Sequence, residues 1–348
     1  MATESLKVGR AWDATFYEWT NDLELGKKLV KPKRAPVSKS MWTGAVSKAA
    51  TPASYSNKGS KADVRGRLAG VAQKSTQVMV KITPGKNKTM RAVREHLMYI
   101  AREDDQAVEE RNGAATGGEV LHDQDGKEIT GKEAIEALGW AWKHTGPQLP
   151  EHSDTKLAFN IMFSMPEGTD PKALYGAVRA AAGVEFAGYQ WVMVQHFDEP
   201  QVHCHVCVKA EGMDGVRLNP RKADLQRWRE RFAFELRERG VEAEATRRAS
   251  RMHQQRITKP WAVTRLEERG QATNAQPSEI ASSEKIRKWK TTENRAASSY
   301  DRIIQALHRS DEAADRILAK QLQESSVGAR ARAITEQSGK PKRDLERT

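Results

Sequence analysis

Two cysteines in 348 residues are too few for a disulfide-built fold, and there is no second pair to complete a four-cysteine zinc site. The pair that exists, Cys204 and Cys207, spells C-x-x-C. On a strand, residues three apart face opposite sides, so strand packing is expected rather than redox chemistry. Long apolar runs are absent too: no stretch approaches the roughly 18 residues that a membrane-spanning helix needs, and the N-terminus has no apolar signal-peptide core. The expectation is a cytoplasmic protein without membrane insertion. Acidic residues are outnumbered, with 46 Asp and Glu against 58 Lys and Arg, a net charge of +12 that suits a polyanionic partner. Hydrophobic content of 38% is lean but sufficient for one real core.

Residues 1–75 mix Lys, Ser, Pro and Gly, include the basic run Lys27–Arg34 and show no sustained period, so an extended, mobile basic arm is expected. A globular domain is expected over 76–260. It opens with a strand at Gln77–Thr83, followed by a helix from Thr89 whose stripe Val93, Leu97 and Ile100 leaves Tyr99 turned away. Residues 112–131 are turn-rich and suggest a mobile loop or small hairpin, before a short helix at Lys132–Lys143. Leu157–Ser164 predicts a strand. Asp170 and Pro171 predict the capped start of a helix to about Phe186. Trp191–Val208 reads as strand, tight turn, strand. A basic amphipathic helix with Leu225, Trp228, Phe232 and Leu236 inward then ends at Gly240. Residues 261–348 are expected to be polar and helical, ending in a solvated basic tail. The order predicts an α+β fold, an antiparallel-rich central sheet with helices packed largely on one face.

Alternation on the Trp191–Val208 hairpin concentrates chemistry. His203 and His205 share one strand face, and His196 and Asp198 share a face at the end of the preceding strand. Three neutral imidazoles suit a divalent metal whose open position polarises a phosphoryl oxygen. Tyr99, on the polar side of its helix, is a weak nucleophile that needs such an electrophile or a base.

The ordered motifs HLMYIARE with Tyr99, FSMPEGTDP with Ser164, and HFDEPQVHCH resemble those of plasmid relaxases of the H-U-H endonuclease superfamily (U, a hydrophobic residue). The group that includes the Agrobacterium T-DNA border nuclease is particularly similar. The resemblance runs from Val78 to Lys259. It implies that Tyr99 attacks one phosphodiester at an origin of transfer and leaves a 5'-phosphotyrosine. It also implies that His196, His203 and His205 hold magnesium or manganese, that Asp198 orients an imidazole, and that Ser164 contacts the strand beside the cut. A role for His196 as general base is the alternative within the family. Two departures stand out: Gln201 replaces a histidine, and Lys209 replaces an asparagine and becomes a candidate phosphate contact. Arg221 and Lys222, at the start of the basic helix, and Arg247 and Arg248, in the arm after it, are further DNA-binding candidates.

The resemblance implies single-stranded DNA as partner, with accessory relaxosome proteins and a type IV secretion coupling protein that carries the relaxase into a recipient cell. The span after Lys259 is too short for an ordinary helicase or primase domain, so unwinding is expected from another enzyme. A rolling-circle replication initiator is the nearest alternative, but its tyrosine follows the H-U-H strand, whereas Tyr99 precedes it. A non-catalytic DNA-binding protein with a degenerate site is the other.

Overall fold

The computed structural model describes residues 23, 61–85, 87–103, 119–197, 201–248, 250–252 and 282–339. They divide into two compact units, one of the described residues from Thr76 to Ala245 and the other of residue 23, 61–75 and those from Thr246 onward.

The first unit is built on a six-stranded sheet of β1 (Met79–Ile82), β2 (Leu121–Asp123), β3 (Glu128–Ile129), β4 (Ala158–Ser164), β5 (Trp191–His196) and β6 (His203–Lys209), in the order β1-β4-β6-β5-β2-β3. Every pairing is antiparallel. The expected α+β architecture is therefore present. The turn-rich segment closes as the β2–β3 hairpin, where the Asp123 carboxylate accepts from the Asp125 and Lys127 amides and Gly126 takes a left-handed φ of 91°.

Two further helices in this unit, α2 (Met90–Ala101) and α3 (Lys132–His144), precede β4, and α4 (Pro171–Glu185) and α5 (Lys222–Arg237) follow it; α1 belongs to the second unit. Thr89 caps α2 by accepting from the Ala92 amide. Asp170 caps α4 by accepting from Lys172 and Ala173, with Pro171 at the first position. Helices cover both faces of the sheet rather than largely one. Trp191, Met193, Cys204, Val206 and Val208 pack under α4 and α5 with Phe186, Trp228 and Phe232. Val192, Val194, Cys207 and Ala158 pack on the opposite side under α2 and α3 with Leu97, Ile135 and Trp142. The reason is legible in β5, whose apolar run WVMV leaves neither side for water. Cys204 and Cys207 fall in different cores, both buried and unlinked.

The second unit is helical. α1 (Lys61–Ala72), α6 (Ser283–His308), α7 (Ala313–Glu324) and α8 (Ser326–Gly339) bury Val64, Leu68, Val71, Tyr300, Ile303, Leu307, Leu318, Leu322, Val327 and Ala331 together. Two expectations change here. α1 lies inside the span read as an extended arm, because Val64, Leu68 and Val71 recur at helical spacing although Gly66 and Gly70 dilute the pattern. α8 occupies the first part of the span read as a solvated tail, where Val327, Ala331 and the partly buried Ile334 form a stripe of the same kind. Arg65 and the fully buried Asp315 join α1 to α7 through two bonds of 2.5 and 2.7 Å. No described helix is long and apolar enough to cross a membrane.

Candidate active site

Strand register assembles the centre. Across four strands, Met79 pairs with Ser164, Ser164 with His203, and His203 with His196. Directly paired residues share a sheet face, so these four side chains form one row. His205 stands in the next row, opposite Met162 and Val194, and Met162 in turn pairs with Lys81. The three imidazoles therefore converge: one nitrogen of each lies within 4.8 Å of the others, and their ring centroids are 4.7–5.3 Å apart. Among the described residues this is the group of histidine, cysteine or carboxylate side chains arranged to hold a metal ion.

Hydrogen bonds define the imidazoles further. His203 Nδ1 donates to the Gln201 carbonyl at 3.0 Å, which leaves the lone pair on Nε2, the usual arrangement of a metal-binding histidine. His205 Nδ1 is buried without a hydrogen-bond partner. Burial first, then the neighbouring His196 and His203, and then His96 and Arg102, push the His205 pKa down to about 3. That ring is neutral at physiological pH, as a ligand must be. His196 is held differently. Its Nε2 donates to the Ile100 carbonyl at 2.8 Å and lies 3.1 Å from Glu119 Oε2, so Nδ1 accepts from Arg102 Nη2 at 3.2 Å. The donor set fits a divalent ion through nitrogens of His203 and His205, with His196 the member already engaged.

The Ile100 contact brings the end of α2 to the cluster, and Tyr99 is its neighbour in sequence. Tyr99 is 72% exposed, while Val93, Leu97 and Ile100 are fully buried, so the core stripe does turn the phenol outward. At the helix end Arg102 has φ 56° and ψ 31°, left-handed values that cost a residue with a side chain roughly 1 kcal/mol. Its guanidinium is held by His196 and stands 3.6 Å from Glu119 Oε1.

His96 is a residue that sequence reasoning missed. One turn before Tyr99, it stacks on the Tyr99 ring with centroids 6.2 Å apart, and its Nε2 is buried with no hydrogen-bond partner. Burial pushes its pKa down to about 4. The i, i+3 spacing within HLMY was the available signal. Arg102 and Glu119 were missed as well; Arg102 follows the tyrosine motif closely, but Glu119 reaches the site only through tertiary folding. Lys81, exposed and on the histidine face two strands away, is a cation that the register reveals.

Several predicted residues fall elsewhere. Ser164 stands beside His203 in the row but is buried. Asp198 lies outside the described residues. Lys209 is fully buried, and its ammonium donates to the carbonyls of Thr145 and Pro147 and to Gln190 Oε1 at 2.7, 3.2 and 3.3 Å. It is a structural tie and not a phosphate contact. Burial lowers its pKa. Arg221 and Lys222 are exposed at the start of α5, which packs on the sheet face opposite the one that carries the histidines. Arg247 and Arg248 belong to the helical unit.

Residues 111–240 match the family model described as Relaxase: MobA/VirD2-like, nuclease domain. The matched span contains the three histidines and Ser164; Tyr99 precedes it. A search of curated proteins gives no match.

Proposed function

We propose that this chain, whose residues 111–240 match the MobA/VirD2-like relaxase nuclease model, cuts and rejoins one DNA strand at an origin of transfer. The observation that carries this reading is the convergence of His196, His203 and His205 on the same corner of the sheet as the exposed Tyr99. Tyr99 is the nucleophile. Its oxygen forms a bond to phosphorus, the bond to the 3' oxygen breaks, the phenolic proton leaves and the departing 3' oxygen takes one up, giving a 5'-phosphotyrosine and a 3'-hydroxyl. Rejoining is the same exchange run backward. A magnesium or manganese ion would be held by His203 and His205, with His196 as third ligand once it gives up one of its present bonds, and would supply Lewis-acid polarisation of the attacked phosphate. Ser164 and Asp198 complete the site, the first at its floor and the second as orienter of an imidazole.

On the protein side, Tyr99 needs no unburying, since the phenol already faces solvent. Lys81, exposed and on the histidine face of the sheet, offers a positive charge to the strand. Single-stranded DNA is the substrate; accessory relaxosome proteins and a type IV secretion coupling protein are the further partners, with assembly in the cytoplasm and transfer to a recipient cell.

The test is incubation with a supercoiled plasmid that bears the neighbouring origin, with manganese. The expected product is a nicked circle carrying protein on its 5' end. Tyr99→Phe should give none, and His203→Ala should lose cleavage while keeping single-strand binding. A wild-type protein that binds the plasmid and leaves it supercoiled would sink the enzymatic reading in favour of a binding module. Nicking by Tyr99→Phe at the wild-type rate would remove Tyr99 from its role.

A further inference from the structure

Exposed aromatic side chains are few among the described residues. Among the described residues, Tyr99, Trp140 and Phe197 are the phenylalanines, tryptophans and tyrosines left open, at 72%, 54% and 66% exposure. Tyr99 is part of α2. Trp140, on α3, has the Arg94 guanidinium of α2 5.8 Å from its ring centre. From Arg94 to Tyr99 the helix rises about 8 Å, a separation on the nucleotide scale.

The surroundings of Trp140 are organised. His144, one turn on, is parallel to the indole within 5° at a centroid distance of 5.7 Å. Lys143 Nζ lies 5.4 Å from the ring centre. Both neighbouring cations are steadied by Glu151, at 2.7 Å from Lys143 and 3.8 Å from Arg94. Gly139 makes the arrangement possible, since a Cβ there would come within 2.6 Å of Arg94 Cγ. A glycine inside a helix is destabilising by roughly 0.5–1 kcal/mol relative to alanine, and here the missing side chain lets Arg94 lie between the helices and reach the indole. An open, cation-flanked ring that no core uses has the chemistry of a base-stacking platform.

We propose that Trp140 stacks an unpaired base of the single strand that presents its phosphodiester to Tyr99, an inference that rests on the relaxase reading for the identity of the strand. Stacking on this ring is indifferent to which base is present, so it positions the strand without selecting its sequence. Phosphate recognition stays with the cations and the histidine centre.

The experiment measures binding of the full-length protein to a labelled mixed-sequence single-stranded oligodeoxynucleotide, and to an abasic oligomer of the same length, by fluorescence anisotropy. Trp140→Ala should weaken binding of the oligonucleotide roughly fivefold to a hundredfold and leave the abasic oligomer unchanged. Trp140→Phe should restore most of the loss. In nicking assays Trp140→Ala should raise KM and keep kcat, because Trp140 does not touch the reacting atoms. Equal binding of both oligomers by wild type and Trp140→Ala would overturn the proposal, as would an equal loss on both, which marks a charge or folding effect. The relaxase reading fails separately: a wild type that shows the base-dependent contribution of Trp140 yet never nicks retains the stacking platform and loses the enzyme.

Discussion

Substitution of Lys209 by methionine separates a structural cation from a DNA-binding one. Methionine keeps most of the aliphatic stem, so the change removes little beyond the ammonium and its bonds to Thr145 O, Pro147 O and Gln190 Oε1. A hydrogen bond from a charged donor contributes about 1.5–3 kcal/mol net; the 2.7 Å bond is of full strength, and the two at 3.2 and 3.3 Å are weaker. Against this stands the desolvation of a fully buried charge, several kcal/mol that methionine does not incur. Because Thr145 ends α3 and Pro147 lies in the loop behind it, three oxygens lose the donor that gathers them. The balance is a loss of about 2 kcal/mol, a fall in Tm of roughly 4–8 °C for a unit of this size. Circular dichroism through thermal unfolding measures the stability, and anisotropy well below Tm measures single-strand affinity. The reasoning predicts lower Tm with unchanged affinity and unchanged salt dependence. An unchanged Tm with weaker binding and a shallower salt slope would refute it and return Lys209 to the DNA surface.

Lys81→Ala should weaken single-strand binding and reduce the slope of log affinity against log salt by about 0.7–1, measured by anisotropy over a salt series; an unchanged slope removes Lys81 from the phosphate path. His96 has a folded pKa of about 4 against 6.5 unfolded, so its contribution is full above pH 6.5 and is lost as pH falls toward 4. For metal-free protein this amounts to about 2 kcal/mol between pH 7 and pH 5, and urea unfolding should show His96→Leu losing that much less than wild type over the same interval. Arg65→Leu leaves Asp315 buried without its partner and should destabilise the helical unit by about 3–5 kcal/mol, read as an earlier denaturation of that unit. Cys204 and Cys207 are buried, and burial raises both thiol pKa values. A thiol reagent should therefore label neither in the native protein and both in denaturant, and rapid native labelling would contradict the packing.

The histidine centre was legible because it rests on strand alternation, a local rule. His203 and His205 share a face whatever else the chain does, and a hairpin with His196 at the end of its first strand brings a third ring alongside. Tyr99 was legible for the same kind of reason, being off the stripe of Val93, Leu97 and Ile100. What escaped was tertiary. Nothing near Lys209 in sequence indicates that the Thr145–Pro147 carbonyls will close over it. Arg221 follows the histidine strand closely in sequence, yet the helix it opens packs on the sheet face opposite the histidines. The second covered sheet face was readable in the apolar run of β5, and α1 was hidden by two glycines in a short stripe.

The end of α2 explains why the tyrosine and the histidines form one site rather than two neighbours. A helix terminus leaves carbonyls without intrahelical donors, and the Ile100 carbonyl takes its donor from His196. Arg102, in a backbone conformation that favours glycine, accepts that strain while its guanidinium supplies the other His196 nitrogen and approaches Glu119. Both nitrogens of His196 are thereby committed to the segment that carries Tyr99. An ion bound through Nδ1 has to displace the Arg102 guanidinium, and one bound through Nε2 has to take the place of the bond to Ile100. Either exchange alters what holds the last turn of α2. Were an ion to occupy the histidine centre, that occupancy and the position of Tyr99 would be linked through one imidazole, whereas His203, anchored to its own strand by Gln201, would hold an ion without disturbing Tyr99.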